Sequence, residues 1–248
     1  MKRMVFGVAV ALSAAWLAHA VGVTLVARCF EKATFENIWK APLGEWQIVA
    51  DVFTDPADDK KLGSKPGDGV AVNGPNGKTN HLVTNKEFGD VDLTVDFMVP
   101  KGSNSGIYLQ GRYEIQILDS FGVEAPTYTD CGGIYQRWKE DPGIDDSQRG
   151  YEGHAPLSNA SKKPGEWQTF HIIFRAPKFD SNGNKVANAK FEKVWLNDVL
   201  VQDNIEVTGP TRASMSNDEK PIGPIMLQGD HGPIAYRNLR VVIPEHVY

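Results

Sequence analysis

Val91-Asp-Leu-Thr-Val-Asp-Phe-Met-Val99 sets Val91, Leu93, Val95, Phe97 and Val99 on one side of an extended backbone, and Asp92, Thr94, Asp96 and Met98 on the other. Successive side chains of a strand point to opposite faces, so this strict alternation marks a strand with one face in a core. Outward from it, similar stretches predict strands over residues 46–53, 81–84, 106–110, 112–118, 167–175, 186–196, 199–202, 225–228 and 234–243. Asn76-Gly77 and Asn182-Gly183 are hairpin-type dipeptides, and Asn197-Asp198 supplies another tight reversal. Gln110-Gly111 either turns the chain between two strands or forms a glycine bulge inside a longer one. No segment carries a long apolar stripe of helical period, and there is no internal repeat. Many short strands with regular turn signals predict an all-β protein, a jelly-roll β-sandwich built as a single domain.

The 248 residues include 26 Lys and Arg against 31 Asp and Glu, a formal net charge of -5. With 41% hydrophobic and 23% charged residues, the chain has the composition of a folded domain and not of a disordered one. A mildly acidic chain without basic runs lacks the footprint of a nucleic-acid binder. Two cysteines exclude a disulfide-dense scaffold and a four-cysteine zinc site.

The N-terminus has a different logic. Lys2 and Arg3 precede an apolar run over residues 4–18, and Ala18-His19-Ala20 offers small residues around a cleavable bond. This is the layout of a secretory signal peptide. Its removal would leave residues 21–248 as a periplasmic or secreted domain with no membrane partner. In the competing reading, residues 21–27 extend the apolar run to a bilayer-spanning length, although His19 and Gly22 interrupt it. Export would put Cys29 and Cys131 in an oxidising compartment, where pairing and burial as two separate thiols are both open.

Two segments concentrate chemistry. Over residues 112–118, Arg112, Glu114 and Gln116 share one strand face while Tyr113, Ile115 and Ile117 share the other. A cation, a carboxylate and an amide in a row suit sugar hydroxyls and proton transfer. A solvated strand face with an Arg112–Glu114 ion pair gives the same pattern. In the second segment, an apolar strand runs into Gly229-Asp-His-Gly-Pro233, where the glycines would expose Asp230 and His231 at a sharp turn. Histidine there serves as a proton donor, a proton acceptor or a metal ligand, or simply caps a turn. Residues 139–163 and 208–224 are polar and long for connections, which marks functional loops or disordered ones. A loop tryptophan such as Trp138 suits stacking on a sugar ring. His81, His154 and His171 show no spacing typical of a metal site, and Asp180-Ser-Asn-Gly-Asn184 reads better as a hairpin turn than as a calcium loop. No dinucleotide, P-loop, G-x-S-x-G or H-E-x-x-H motif is present.

Six blocks occur in order: Glu87-Phe-Gly-Asp-Val-Asp-Leu93, Ser103-Asn-Ser-Gly-Ile-Tyr108, Tyr113-Glu-Ile-Gln-Ile-Leu-Asp119, Cys131-Gly-Gly-Ile-Tyr135, Lys163-Pro-Gly-Glu-Trp167 and Leu227-Gln-Gly-Asp-His-Gly232, followed by Tyr236-Arg-Asn238. Together they resemble the 3-keto-disaccharide hydrolase domain family, whose fold is similar to the concanavalin A-like lectin/glucanase sandwich. The family's last block commonly reads Leu-Gln-Asp-His-Gly, whereas here Gly229 stands between Gln228 and Asp230. The resemblance implies a carbohydrate partner already oxidised to a ketone at carbon 3. A base removes the acidified proton on carbon 2, the carbon 1 substituent leaves, and water adds; a hydratase performing the water addition alone would use the same groups. Glu114 is the expected base and His231 the expected acid or oxyanion donor, with Arg112 or a divalent metal as alternative stabiliser. Arg112, Gln116, Asn104, Tyr135 and Asp230 are the expected substrate-binding groups. The sequence singles out no cofactor, and a divalent metal is the one candidate. Glucanases of the same sandwich use two carboxylates, but Gln116 stands at the second position and Asp119 has the other parity, so that mechanism is poorly supported. A non-catalytic lectin-like binding module and a protein-interaction module are the rival readings.

Overall fold

The structure is a computed structural model that describes residues 23–26 and 29–244. The expected leader over residues 1–20 lies outside the described residues. In chain order the elements are β1 (Val23–Val26), a one-turn helix α1 (Phe35–Ile38), β2 (Gln47–Asp55), β3 (Asp58–Val72), β4 (Leu82–Phe88), β5 (Val91–Met98), β6 (Asn104–Leu109) and β7 (Tyr113–Leu118). They continue with β8 (Arg137–Trp138), β9 (Gly150–Tyr151), β10 (Gln168–Arg175), β11 (Lys178–Phe179), β12 (Lys185–Ala187), β13 (Ala189–Leu196), β14 (Val199–Val207), β15 (Gly223–Leu227) and β16 (Ala235–Ile243). One large sheet runs β14-β13-β10-β5-β16-β3-β2, with β1 also paired to β16. The smaller sheet runs β4-β15-β6-β7. All of these pairings are antiparallel.

The alternation in β5 is realised as expected. Val91, Leu93, Val95 and Phe97 are buried, while Asp92, Thr94 and Asp96 are only half-buried on the outer face. They pack with Phe170, Ile172 and Phe174 of β10 and, from the smaller sheet, with Ile107, Ile115 and Ile117. The rings of Tyr113 on β7 and Phe174 on β10 lie 5.4 Å apart across this core. Burying one such side chain contributes about 1.5–3 kcal/mol, so the two sheets are joined chiefly by this apolar layer. The fold is a single-domain jelly-roll sandwich, nearly all β.

Several local expectations are refined. Gln110 and Gly111 adopt positive φ of 55° and 64°, so the chain turns there between β6 and β7 and makes no bulge. Asn197 and Asp198 do the same between β13 and β14, with φ of 51° and 66°. Asn76-Gly77 is not a hairpin: it links β3 in one sheet to β4 in the other, and Gly77 sits against the backbone of Gly232 and Pro233. β3 escapes periodicity altogether, because Gly63, Pro66, Gly67 and Gly69 break its alternation while its pairing with β2 holds it extended. Val23–Val26, within the stretch that suggested a longer apolar span, pairs with Arg240–Ile243 as a sheet strand. No helix among the described residues is long and apolar enough to cross a membrane. Cys131 is a free, buried thiol and forms no bond to Cys29, which is also buried; burial pushes the Cys131 thiol up to about 12.

Candidate active site

The site grows from the β6–β7 hairpin. Its register pairs Tyr108 with Glu114 and Gly106 with Gln116. On β7 the odd-numbered Tyr113, Ile115 and Ile117 enter the core, so Glu114 and Gln116 point the other way. The edge of β7 away from β6 is occupied as well. Residues 132–135 run alongside β7, with Gln116 N donating to Gly133 O at 2.8 Å and Tyr135 N to Glu114 O at 3.1 Å. The polar loop after β14 closes the next edge: Thr211 N donates to Arg112 O at 2.9 Å, and Glu114 N donates to Thr211 Oγ1 at 3.1 Å. Glu114 is thereby left only 3% exposed.

A cleft of about 290 Å³ opens over this face, lined by Asn104, Tyr108, Glu114, Gln116, Tyr135, Arg212, Ala213, Gln228 and His231. At its floor the Glu114 carboxyl has a pKa raised to about 8, first by burial and then by the nearby Asp230 charge. The Tyr108 hydroxyl hydrogen-bonds the same carboxyl and opposes part of that rise. The carboxyl lies so close over β6 that a Cβ at Gly106 would collide with Oε1. Burial, and then the Glu114 charge, push the Tyr135 phenol upward as well.

The turn after β15 supplies the opposite wall. His231 Nδ1 lies 2.5 Å from Asp230 Oδ1, which fixes the imidazole and directs Nε2 away from that carboxylate. His81 joins the pair, with its Nδ1 3.9 Å from the same Asp230 oxygen and accepting from Gly229 N at 3.2 Å. Buried Asn73 anchors the whole turn. Its Nδ2 donates to Gly229 O at 3.0 Å and Gly232 O at 2.7 Å, while its Oδ1 accepts from Ile234 N at 2.9 Å.

Five of the seven expected residues therefore share the cleft: Asn104, Glu114, Gln116, Tyr135 and His231. Asp230 faces an adjoining depression with Lys40, Thr79, Asn80 and His81, and reaches the cleft through His231. With Gly229 present, the histidine and not the aspartate lines the cleft with Glu114. Arg112 does not line the cleft. It is 7% exposed, and its Nε and Nη1 donate to the carbonyls of Asp218 and Gln110 at 2.8 and 2.9 Å, so it neither binds there nor pairs with Glu114. Tyr108 was legible from parity, since it shares the outward face of β6 with Asn104 and Gly106. Arg212, Gln228 and Asn73 carry no periodic signal. Among the described residues, no three or more His, Cys, Asp and Glu side chains converge in a way that could hold a metal ion.

Residues 32–242 match the family of 3-keto-alpha-glucoside-1,2-lyase-like domains. Among solved structures, a candidate glycosyl hydrolase from Parabacteroides distasonis ATCC 8503 is similar over 88% of this chain and 83% of its own, with 26% identity and a TM-score of 0.60. A second from the same organism shares 22% identity over 79% of this chain and 98% of its own, with a TM-score of 0.47. No curated protein matches the chain in sequence.

Proposed function

Because the chain belongs to the 3-keto-alpha-glucoside-1,2-lyase-like family, we propose that it cleaves 3-keto-glycosides by elimination across carbons 1 and 2, with water addition completing a net hydrolysis. The observation that carries this reading is the pairing, in one cleft, of a buried carboxyl with a carboxylate-oriented histidine. The ketone at carbon 3 acidifies the hydrogen on carbon 2, so a single base, a single acid and an oxyanion stabiliser suffice. A second carboxylate is not needed, and Gln116 stands where one would be.

The raised pKa of Glu114 exchanges the two roles expected from sequence. With its pKa near 8, Glu114 holds a proton in most molecules at neutral pH and serves as the donor to the departing glycosidic oxygen. His231, with Nδ1 engaged by Asp230, presents Nε2 as the acceptor for the carbon 2 proton. The bond from carbon 2 to hydrogen breaks, its electrons form the enolate, and their return expels the carbon 1 oxygen, which takes the Glu114 proton. Asn104, Gln116, Tyr135 and Gln228 supply hydrogen bonds to the ring hydroxyls. The charged start and Ala-His-Ala bond support export of the mature chain to the periplasm or beyond, and N-terminal sequencing of exported material should begin near Val21.

The test is turnover of a 3-keto-glucoside beside the parent glucoside. The reading expects cleavage of the ketone alone, with Glu114→Gln and His231→Ala each losing about 10²–10⁴ in rate. Equal cleavage of both sugars defeats the ketone-dependent route. Sugar binding without any turnover makes the domain a lectin-like module.

A further inference from the structure

We propose that Arg212 is the group that holds the carbon 3 oxygen and carries the enolate charge. This rests on the elimination described above and assigns the one role that reaction leaves open.

Arg212 is the one arginine or lysine among the described residues lining the cleft. Its guanidinium carbon lies 3.6 Å over the Trp138 ring, a contact that holds the group without using its N–H donors. The backbone beneath is held on both sides: Arg212 N donates to Gln136 O at 2.8 Å, and Thr211 N to Arg112 O at 2.9 Å. The next residue, Ala213, sits at φ 61°, which turns the chain sharply at this point. The side chain is close enough to Tyr135 to lower that phenol's pKa against the pull of burial. No carboxylate pairs with its guanidinium among the described residues. The cleft thus holds a cation with free donors in the same lining as Glu114 and His231. Removing the carbon 2 proton creates negative charge on the carbon 3 oxygen, and a preorganised donor at that oxygen favours the transition state over the ground state. Arg112 does not take this part: it does not line the cleft, and its Nε and Nη1 donate to backbone carbonyls.

The experiment measures kcat and KM of the full chain on 4-nitrophenyl 3-keto-α-glucoside for the wild type, Arg212→Ala and Arg212→Lys, with and without added guanidinium chloride. Arg212 is exposed, and matching melting curves check that the variants fold. The inference expects kcat of Arg212→Ala to fall about 10²–10³-fold with a smaller change in KM, and free guanidinium to restore part of it. Arg212→Lys should recover less than the wild type, since an ammonium lacks the planar fork. Trp138→Ala, which removes the stacking surface, should lower kcat by less than Arg212→Ala. A wild type that turns over while Arg212→Ala stays within about threefold in kcat, or a loss that guanidinium does not restore, overturns the role of Arg212 alone. A wild type inactive on the ketone defeats the elimination and this role together.

Discussion

β5 and β7 are both alternating strands with polar residues on their second face, yet one carries a site and the other does not. On β5 the outward Asp92 and Asp96 meet solvent and each other's neighbours. Asp92 pairs with His171 at 2.8 Å, and Asp96 accepts from Thr169 at 2.7 Å and Asn238 at 2.8 Å. On β7 the outward Glu114 is 3% exposed and Gln116 4%: residues 132–135 and Thr211 pair along the strand's edge, and the side chains of Tyr135, Arg212 and His231 wall the cleft around them. Alternation assigns a side chain to a face. What surrounds that face decides whether a carboxylate there is buried or left to solvent.

The contrast breaks most visibly under substitution. Glu114→Ala and His231→Ala should each lower turnover about 10²–10⁴-fold, whereas Asp92→Ala and His171→Ala should leave it near wild type. Steady-state rates on a 3-keto-glucoside measure both. If the β5 variants lose comparable activity, the distinction between the two faces is wrong.

Gly106→Ala comes next. The added methyl displaces the Glu114 carboxylate without touching its chemistry, and a misplacement near 1 Å costs about 10²-fold in rate. An unchanged rate would show that the position of the carboxylate over β6 is immaterial.

The third expectation concerns pH. Glu114 binds its proton more tightly folded than unfolded, with a pKa raised from 4.5 to about 8. Between those values the folded state carries more protons, so this group makes stability fall as pH rises through the window and level off above it. Turnover should decline above about pH 8 as the acid ionises. Melting temperatures of Glu114→Gln should lack that group's slope, and a slope unchanged from wild type would contradict the raised pKa.

Smaller effects sharpen the same picture. Asn73→Ala strands the backbone groups of the 229–234 turn and should cost about 1–3 kcal/mol in denaturant unfolding, with activity falling as His231 loosens. Asp92→Ala removes a half-exposed pair and should cost no more than about 0.2–1 kcal/mol.

Much of this was legible in the sequence, for physical reasons. Val91 to Val99 and Tyr113 to Leu118 read correctly because one face of each is apolar, and parity alone then put Glu114 and Gln116 together. The same parity misled for Arg112. It ends the β6–β7 turn, where its long side chain folds back onto the carbonyls of Gln110 and Asp218. β3 was silent because pairing with β2, not alternation, keeps it extended. Arg212 and Asn73 lie in segments where no period operates, and only the loops' hydrogen bonds bring them to the site. His81, whose spacing to the other histidines carries no signal, joins Asp230 through the β3–β4 link.

The central claim is that His231 takes the carbon 2 proton and Glu114 delivers one to the leaving oxygen. Incubation with a 3-keto-glucoside in deuterated water, followed by nuclear magnetic resonance of carbon 2 and release of the aglycone, reads the two steps separately. The account predicts that Glu114→Gln still exchanges the carbon 2 hydrogen while aglycone release slows, and that His231→Ala loses both. Exchange that survives in His231→Ala but disappears in Glu114→Gln would contradict it.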